Sequence, residues 1–343
     1  MKLFPLTLIF VALTGVLSSA EFKAEDVIHP IVSKLGAPKN IEGFTAGVMA
    51  ISSSSMEAAN HVKQGLARLN TSWDFEAYRH FCAAAKLDPD CLMAYWGVTM
   101  SLAGSQHEFF TQRQNAIDRM LDLLEWESRE GEDKWTKLER GYAQAAGVLM
   151  TEGAAKAGGV FRAISKEYPN DVQSALFAQF LLRDGFDDFG KPRLGQIRAL
   201  EGLTKILKTY PDQVSVMAFW VTSQSEAPLN GSELRKDVLP IARKLVRLYP
   251  DYPPFYVMLT HVESRSGNAA LAIQAARKAV SLFESYMANE KVAFYDCESW
   301  VRAKVYLVSL YEAKGEHAKA LQVARELAGV KICLLYTSPS PRD

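Results

Sequence analysis

Four copies of one short turn set the frame for this chain. They are Leu87-Asp88-Pro89-Asp90, Tyr168-Pro169-Asn170-Asp171, Tyr210-Pro211-Asp212 and Tyr249-Pro250-Asp251. The residue before a proline is pushed out of the α region, so each copy predicts a helix end. Most copies are followed within a turn or two by aromatic side chains: Tyr95 and Trp96, Phe177, Phe219 and Trp220, Phe255 and Tyr256. The prolines lie 80, 42 and 39 residues apart. The first interval therefore holds two units, one of which lacks its proline. A period of this size is that of a helix pair repeated along an array.

The stretch Phe75–Gly97 shows the unit best. Ala77, Phe81 and Ala84 fall at i, i+4 and i+7 and share one helix face. Asp88-Pro89 ends that helix, and Asp90 or Cys91 opens the next, which carries Met93, Tyr95, Trp96 and Met100. On these residues the chain resembles the tetratricopeptide repeat (TPR) family. Gly65 and Leu66, then Ala77, Phe81 and Ala84, then Pro89 stand at the offsets where that consensus has Gly, Ala, Phe, Ala and Pro. The consensus Trp and Tyr of the first helix are absent; His61 and Arg68 stand there. Val62–Gly97 is similar to exported bacterial TPR proteins, and the similarity fades in the middle of the chain. The resemblance implies an all-α fold: a right-handed superhelical solenoid of about seven antiparallel helix hairpins. It also implies a non-catalytic scaffold that binds a protein or peptide on its concave face.

Along the chain, residues 21–54 read as an N-terminal extension with a short helix near Ile31–Leu35, and 55–332 as the repeat domain. Ser54 and Glu57 form a capping-box pattern before a helix over Met56–Leu69. Asp74–Leu87 completes the first pair. Asn115–Glu127 and the charged turn Glu130–Lys134 fill the long first interval. Phe255–Arg265 with Ala269–Phe283, and Trp300–Ala313 with Ala318–Leu327, give the last two pairs. Ala272, Ala276 and Ala279, and later Ala320 and Ala324, let helices approach closely, with Leu307 and Tyr311 filling the space opposite. No stretch alternates as a strand does.

At the N-terminus, Lys2 precedes an apolar run from Leu3 to Leu17, and Ser18, Ser19 and Ala20 follow. This reads as a secretory signal peptide over 1–20, cleaved after Ala20. The expected location is periplasmic or extracellular. Residues 333–343, Cys333 to Asp343, read as the in-frame translation of a sequencing adapter, hence a non-native tail. The 39 Lys+Arg balance 39 Asp+Glu. No basic stripe speaks for nucleic acid, and no basic amphipathic helix for a membrane surface. Membrane insertion is not expected after signal cleavage. Cys82, Cys91 and Cys297 read as small core residues, with a Cys82–Cys91 bridge left open.

The first helix of each pair lines the inner face of such an array. That register places Trp96, Met100, His261, Arg265, Arg302 and Glu312 inward. The mixture suits an extended peptide or an acidic motif; the competing reading makes Trp96 core and the charges solvated surface. Val257 and Val305 stand where a clamp for a terminal carboxylate would need Lys, so that mode is disfavoured. His80 and Cys82 with Cys91, Asp88 or Asp90 make a poor metal set, because residues two apart on a helix diverge. Asp184, Asp187 and Asp188 lack the alternation and terminal Glu of an EF-hand. No nucleophile elbow, HExxH, P-loop or dinucleotide turn is present. No catalytic residue, cofactor or metal is therefore expected. The alternative is an all-α toroid-type enzyme acting on glycans, with Glu226, Asp296 and Glu298 as loop carboxylates. Asn70 and Asn230 match the glycosylation acceptor pattern.

Overall fold

The computed structural model describes residues 22–44, 49–104, 107–131, 133–226, 234–293 and 297–329. Residues 1–20, expected to be a signal peptide, and the tail 333–343 lie outside them. The described residues are all-helical apart from one isolated bridge between Phe186 and Pro192. A 3-10 turn (Ala24–Val27) and α1 (Pro30–Ser33) come first. Then follow α2 (Met56–Leu69), α3 (Asp74–Leu87), α4 (Leu92–Ser101), α5 (Phe110–Glu130), α6 (Lys137–Glu152), α7 (Ala154–Glu167) and α8 (Val172–Leu182). The rest are α9 (Leu194–Thr209), α10 (Val214–Ser225), α11 (Val238–Leu248), α12 (Pro253–Arg265), α13 (Ala269–Glu290), α14 (Glu298–Ala313) and α15 (His317–Gly329).

Each of the four proline turns follows a helix end, at α3, α7, α9 and α11. The unit without a proline ends instead at Gly131, whose φ of +70° closes α5 in the left-handed region. Two expectations shift. The cap of α2 is Ser55, which accepts from the Ala58 amide at 3.2 Å, rather than Ser54. The capping box with Glu at the fourth position forms at Thr136 and Glu139, opening α6.

From α2 to α15 each helix packs on the next, and several even-numbered helices also pack on one another, as α2 on α4, α4 on α6 and α12 on α14. Phe81 of α3 is the wedge of the first pair. It sits between Gly65 of α2 and Gly97 of α4, at places where a Cβ on either glycine would touch its ring. Beyond it an aromatic series runs inward: Trp96, Tyr142, Phe161, Phe177 and Phe219, with successive centroids 5.1–6.2 Å apart. Such tilted and edge-on pairs add to the burial of apolar area.

The chain also curls back so that α2 and α3 meet α8, α12 and α13. The turn between α2 and α3 reaches the far side of the chain. The Asn70 and Gln173 side-chain amides pair in both directions, at 2.6 and 2.9 Å. The Thr71 and Tyr252 hydroxyls meet at 2.5 Å. Trp73 packs on Phe283 and Tyr286 of α13. Buried Arg79 of α3 bonds Glu76 at 2.7 Å and Glu290 of α13 at 3.2 Å, and the Gly36 carbonyl at 3.0 Å. The N-terminal extension seals this junction. Phe44 packs between Tyr249, Tyr252 and Phe255, and Gln64 pairs with the Ile41 backbone in both directions. Asn70 is thus buried in the junction, so the first glycosylation motif does not present its amide; Asn230 lies outside the described residues.

Cys82, Cys91 and Cys297 are buried free thiols, so the bridge left open by the sequence does not form. Burial pushes the Cys82 and Cys91 thiols up to about 12.

Candidate functional site

A pocket of about 200 Å³ opens where three even-numbered helices meet the α2–α3 turn. The end of α10 brings Thr222, Ser225 and Glu226. From α12 come Pro254, Val257, Met258 and His261. From α14 come Ser299, Arg302 and Tyr306, and the turn adds Thr71 and Ser72. Residues three, four and seven apart on one helix share a face, which is how Ser299, Arg302 and Tyr306 (i, i+3, i+7), and Pro254, Met258 and His261 (i, i+4, i+7), line up. Ser72 is held in the left-handed region, φ 58°, by the turn that Asn70 and Thr71 anchor.

A hydrogen-bond chain fixes His261. One of its ring nitrogens, Nε2, is 2.7 Å from the Ser225 carbonyl, which only accepts. Nε2 therefore carries the proton, and Nδ1 accepts from the Tyr306 hydroxyl at 2.8 Å. Burial lowers the His261 pKa, and Arg265 and Arg302 lower it further against the Ser225 bond. The ring is thus neutral, and the Tyr306 oxygen keeps its lone pairs for the pocket. Arg265, one turn beyond His261, also donates to the Ser225 carbonyl, at 3.0 Å.

Charge stands at the rim. Arg302 Nη2 bonds Glu298 at 2.6 Å, one turn earlier on α14, and both side chains are more than half exposed. Glu226 bonds Arg183 at 3.2 Å; burial raises its carboxyl, against the pull of Arg183. Asp74, at the start of α3, is exposed to water on one side, with protein crowding its carboxyl on the others. That enclosure, with the Glu298 charge added and the Arg302 charge opposing, raises its carboxyl to about 6.

The six residues placed inward by register divide. His261 and Arg302 line the pocket and Arg265 buttresses it. Trp96 and Met100 do not reach any open face. Every residue of α4 is buried, because α2, α3, α5 and α6 all pack on it; Trp96 is core, as the competing reading had it. Glu312 is exposed at the far end of α14, about 15 Å along the axis from Arg302. Among the carboxylates named for glycan chemistry, Glu226 lines the pocket, Glu298 holds Arg302, and Asp296 lies outside the described residues. Sequence reasoning missed Ser72, Asp74 and Tyr306. The first two arrive through the curl of the array, which no local pattern signals. Tyr306 sits one turn past Arg302, and the spacing alone could have found it.

The metal set disfavoured from the sequence does not converge. The Nδ1 atom of His80 lies 2.9 Å from that of His61, so the two rings must hold opposite tautomers. Cys82 Sγ turns to the Val27 carbonyl, at 3.8 Å. Among the described residues no group of three or more His, Cys, Asp or Glu could hold a metal ion. No described helix is long and apolar enough to cross a membrane.

No protein-family model matches the chain, and no curated protein matches it. Among solved structures, one described as "MamA RS-1 ArsTM double mutant" aligns with a TM-score of 0.42 and 16% identity. The alignment covers 57% of this chain and 94% of that one. A likeness of this size fixes neither family nor function.

Proposed function

We propose that the chain is a non-catalytic, exported scaffold of TPR type, a right-handed array of about seven helix hairpins that binds a protein or peptide on its inner face. The binding site is the pocket between α10, α12 and α14. The observation that carries the reading is the convergence of His261 from α12 and Arg302 from α14 onto one pocket, with Arg265 bonded to the Ser225 carbonyl beside it. Its size supports a peptide. Ligand pockets commonly run to roughly 300–1,000 Å³, and this one suits a single side chain of a longer partner. Its apolar wall of Pro254, Val257 and Met258 can desolvate such a side chain, while the polar rim orients it. Export rests on the pattern of residues 1–20.

The alternative, an all-α toroid-type enzyme acting on glycans, gains from the meeting of the first helices with α12 and α13. It needs two carboxylates facing across the pocket. Among the described lining residues Glu226 is the one carboxylate, and Arg183 holds it. Selection of end-blocked random peptides on residues 21–332 tests the binding reading. Peptides recovered by the native chain and lost with Ser299→Trp, which fills the pocket from a partly exposed position, support it. Peptides retained by that variant, or none recovered, refute it.

A further inference from the structure

The pocket holds a clue to the chemistry of its occupant. Glu298 and Arg302 stand one turn apart on α14 and bond at 2.6 Å, with Glu298 81% exposed. An ion pair this open to water contributes little to stability. Arg302 is therefore held by a partner that another carboxylate can displace. Its guanidinium carries a planar fork of donors, suited to two-point contact with a carboxylate. Ser72 and Ser299 also line the pocket and carry hydroxyl donors, while the Tyr306 hydroxyl is spent on His261.

We propose that the pocket receives the side-chain carboxylate of an acidic residue within an extended partner segment, and that Arg302 exchanges Glu298 for it. The inference rests on the peptide-binding reading above. Glu298 thus acts as a stand-in that keeps Arg302 aligned while the site is empty. The apolar wall takes the methylenes of the incoming side chain, and Glu226 is kept from repelling it by its pair with Arg183.

The charge around the site agrees. Arg183, Arg265 and Arg302 stand against Glu226, Glu298 and Asp74. Asp74 faces Glu298 and Arg302 from α14 and acts on Tyr252 at the start of α12. Because its carboxyl titrates near 6, the balance turns positive below that pH, where a glutamate side chain, with a usual pKa near 4.3, is still ionised.

Two synthetic probes decide the matter: acetyl-Ala-Ala-Glu-Ala-Ala-amide and its glutamine twin. Neither has a charged end, so only the side chain differs. Each is titrated by NMR into residues 21–332 in the native form, Arg302→Ala and Glu298→Gln. The glutamate probe should bind the native chain at least tenfold more tightly than the glutamine probe. Arg302→Ala should remove that preference. Glu298→Gln should strengthen the glutamate probe by up to about fivefold, the value of an exposed ion pair. Thermal melts of both variants, at exposed helix positions, confirm that they fold. A glutamate probe that shifts no more than its glutamine twin overturns the proposal, as does a preference that survives Arg302→Ala. Peptides recovered by selection without an acidic preference would leave the binding reading standing while this inference falls; no recovered peptide would remove both.

Discussion

Replacing Gly97 by Ala tests the wedge at the root of the array. Built on the α4 backbone, the new Cβ would lie 2.0 Å from Phe81 Cδ1, 2.2 Å from Cε1 and 2.3 Å from Cγ. Room to retreat toward α2 is small, because the Gly65 backbone packs so close to the ring that a Cβ there would lie 2.8 Å from it, and Trp96 packs edge-on against the ring with centroids 6.4 Å apart. Phe81 is fully buried, so helix α3 or α4 must shift. Overpacking of this kind costs about 1–3 kcal/mol, and contacts near 2 Å belong at the upper end. Against that, Gly to Ala inside a helix gains about 1 kcal/mol. The net expectation is a loss of about 2 kcal/mol in urea unfolding, with an unchanged m-value. In a Phe81→Leu background the clash is relieved, and the same Gly97→Ala change should become neutral or stabilising, a coupling of about 2 kcal/mol. If Gly97→Ala alone stabilises the chain by the propensity gain, the wedge reasoning is wrong.

Arg79→Ala should cost about 3–5 kcal/mol in the same assay, because it leaves Glu76 buried without its cation and frees α3 from Glu290 of α13; a loss under about 1 kcal/mol would show that the junction is held elsewhere. Asp74 has a folded-state carboxyl at about 6, above the 3.8 of the free side chain. Its contribution to stability is therefore fully present below the lower value and is lost as pH rises through the higher one. Melting temperatures of the native chain and Asp74→Asn should diverge across that window in favour of the variant as pH rises, and parallel curves would refute the enclosure. With Cys333 replaced by Ser, Cys82 and Cys91 should resist thiol reagents at pH 8 until the chain unfolds, since burial holds them protonated; rapid modification of the folded chain would contradict their packing.

Much of the fold could be read along the chain, because its signals are local. Asp88-Pro89, Tyr168-Pro169, Tyr210-Pro211 and Tyr249-Pro250 each end a helix by the same steric rule, and the α2 and α3 bounds follow from apolar spacing and the break at Asn70. The close packing of Gly65 and Gly97 on Phe81 was not read from the sequence, where Gly65 and Phe81 stood only as repeat-consensus positions. Part of the pocket lining could be reached from local signals too: His261 and Arg302, which line it, keep helical register with their neighbours. Trp96 was misplaced inward because register says which face a residue takes, not how many helices cover it, and α4 is covered on every side. Ser72 and Asp74 could not be read, since they come to α14 only when the array curls through Asn70–Gln173, Thr71–Tyr252 and Arg79–Glu290. These contacts join residues more than 100 positions apart, and no periodicity encodes them.

Hydrogen–deuterium exchange with a selected peptide bound tests the central claim most directly. If the inner-face pocket is the binding site, protection should appear at 222–226, 254–261 and 299–306, with the α2–α3 turn. Protection confined to α5, α7, α9 or α11 would place binding away from the pocket and contradict it.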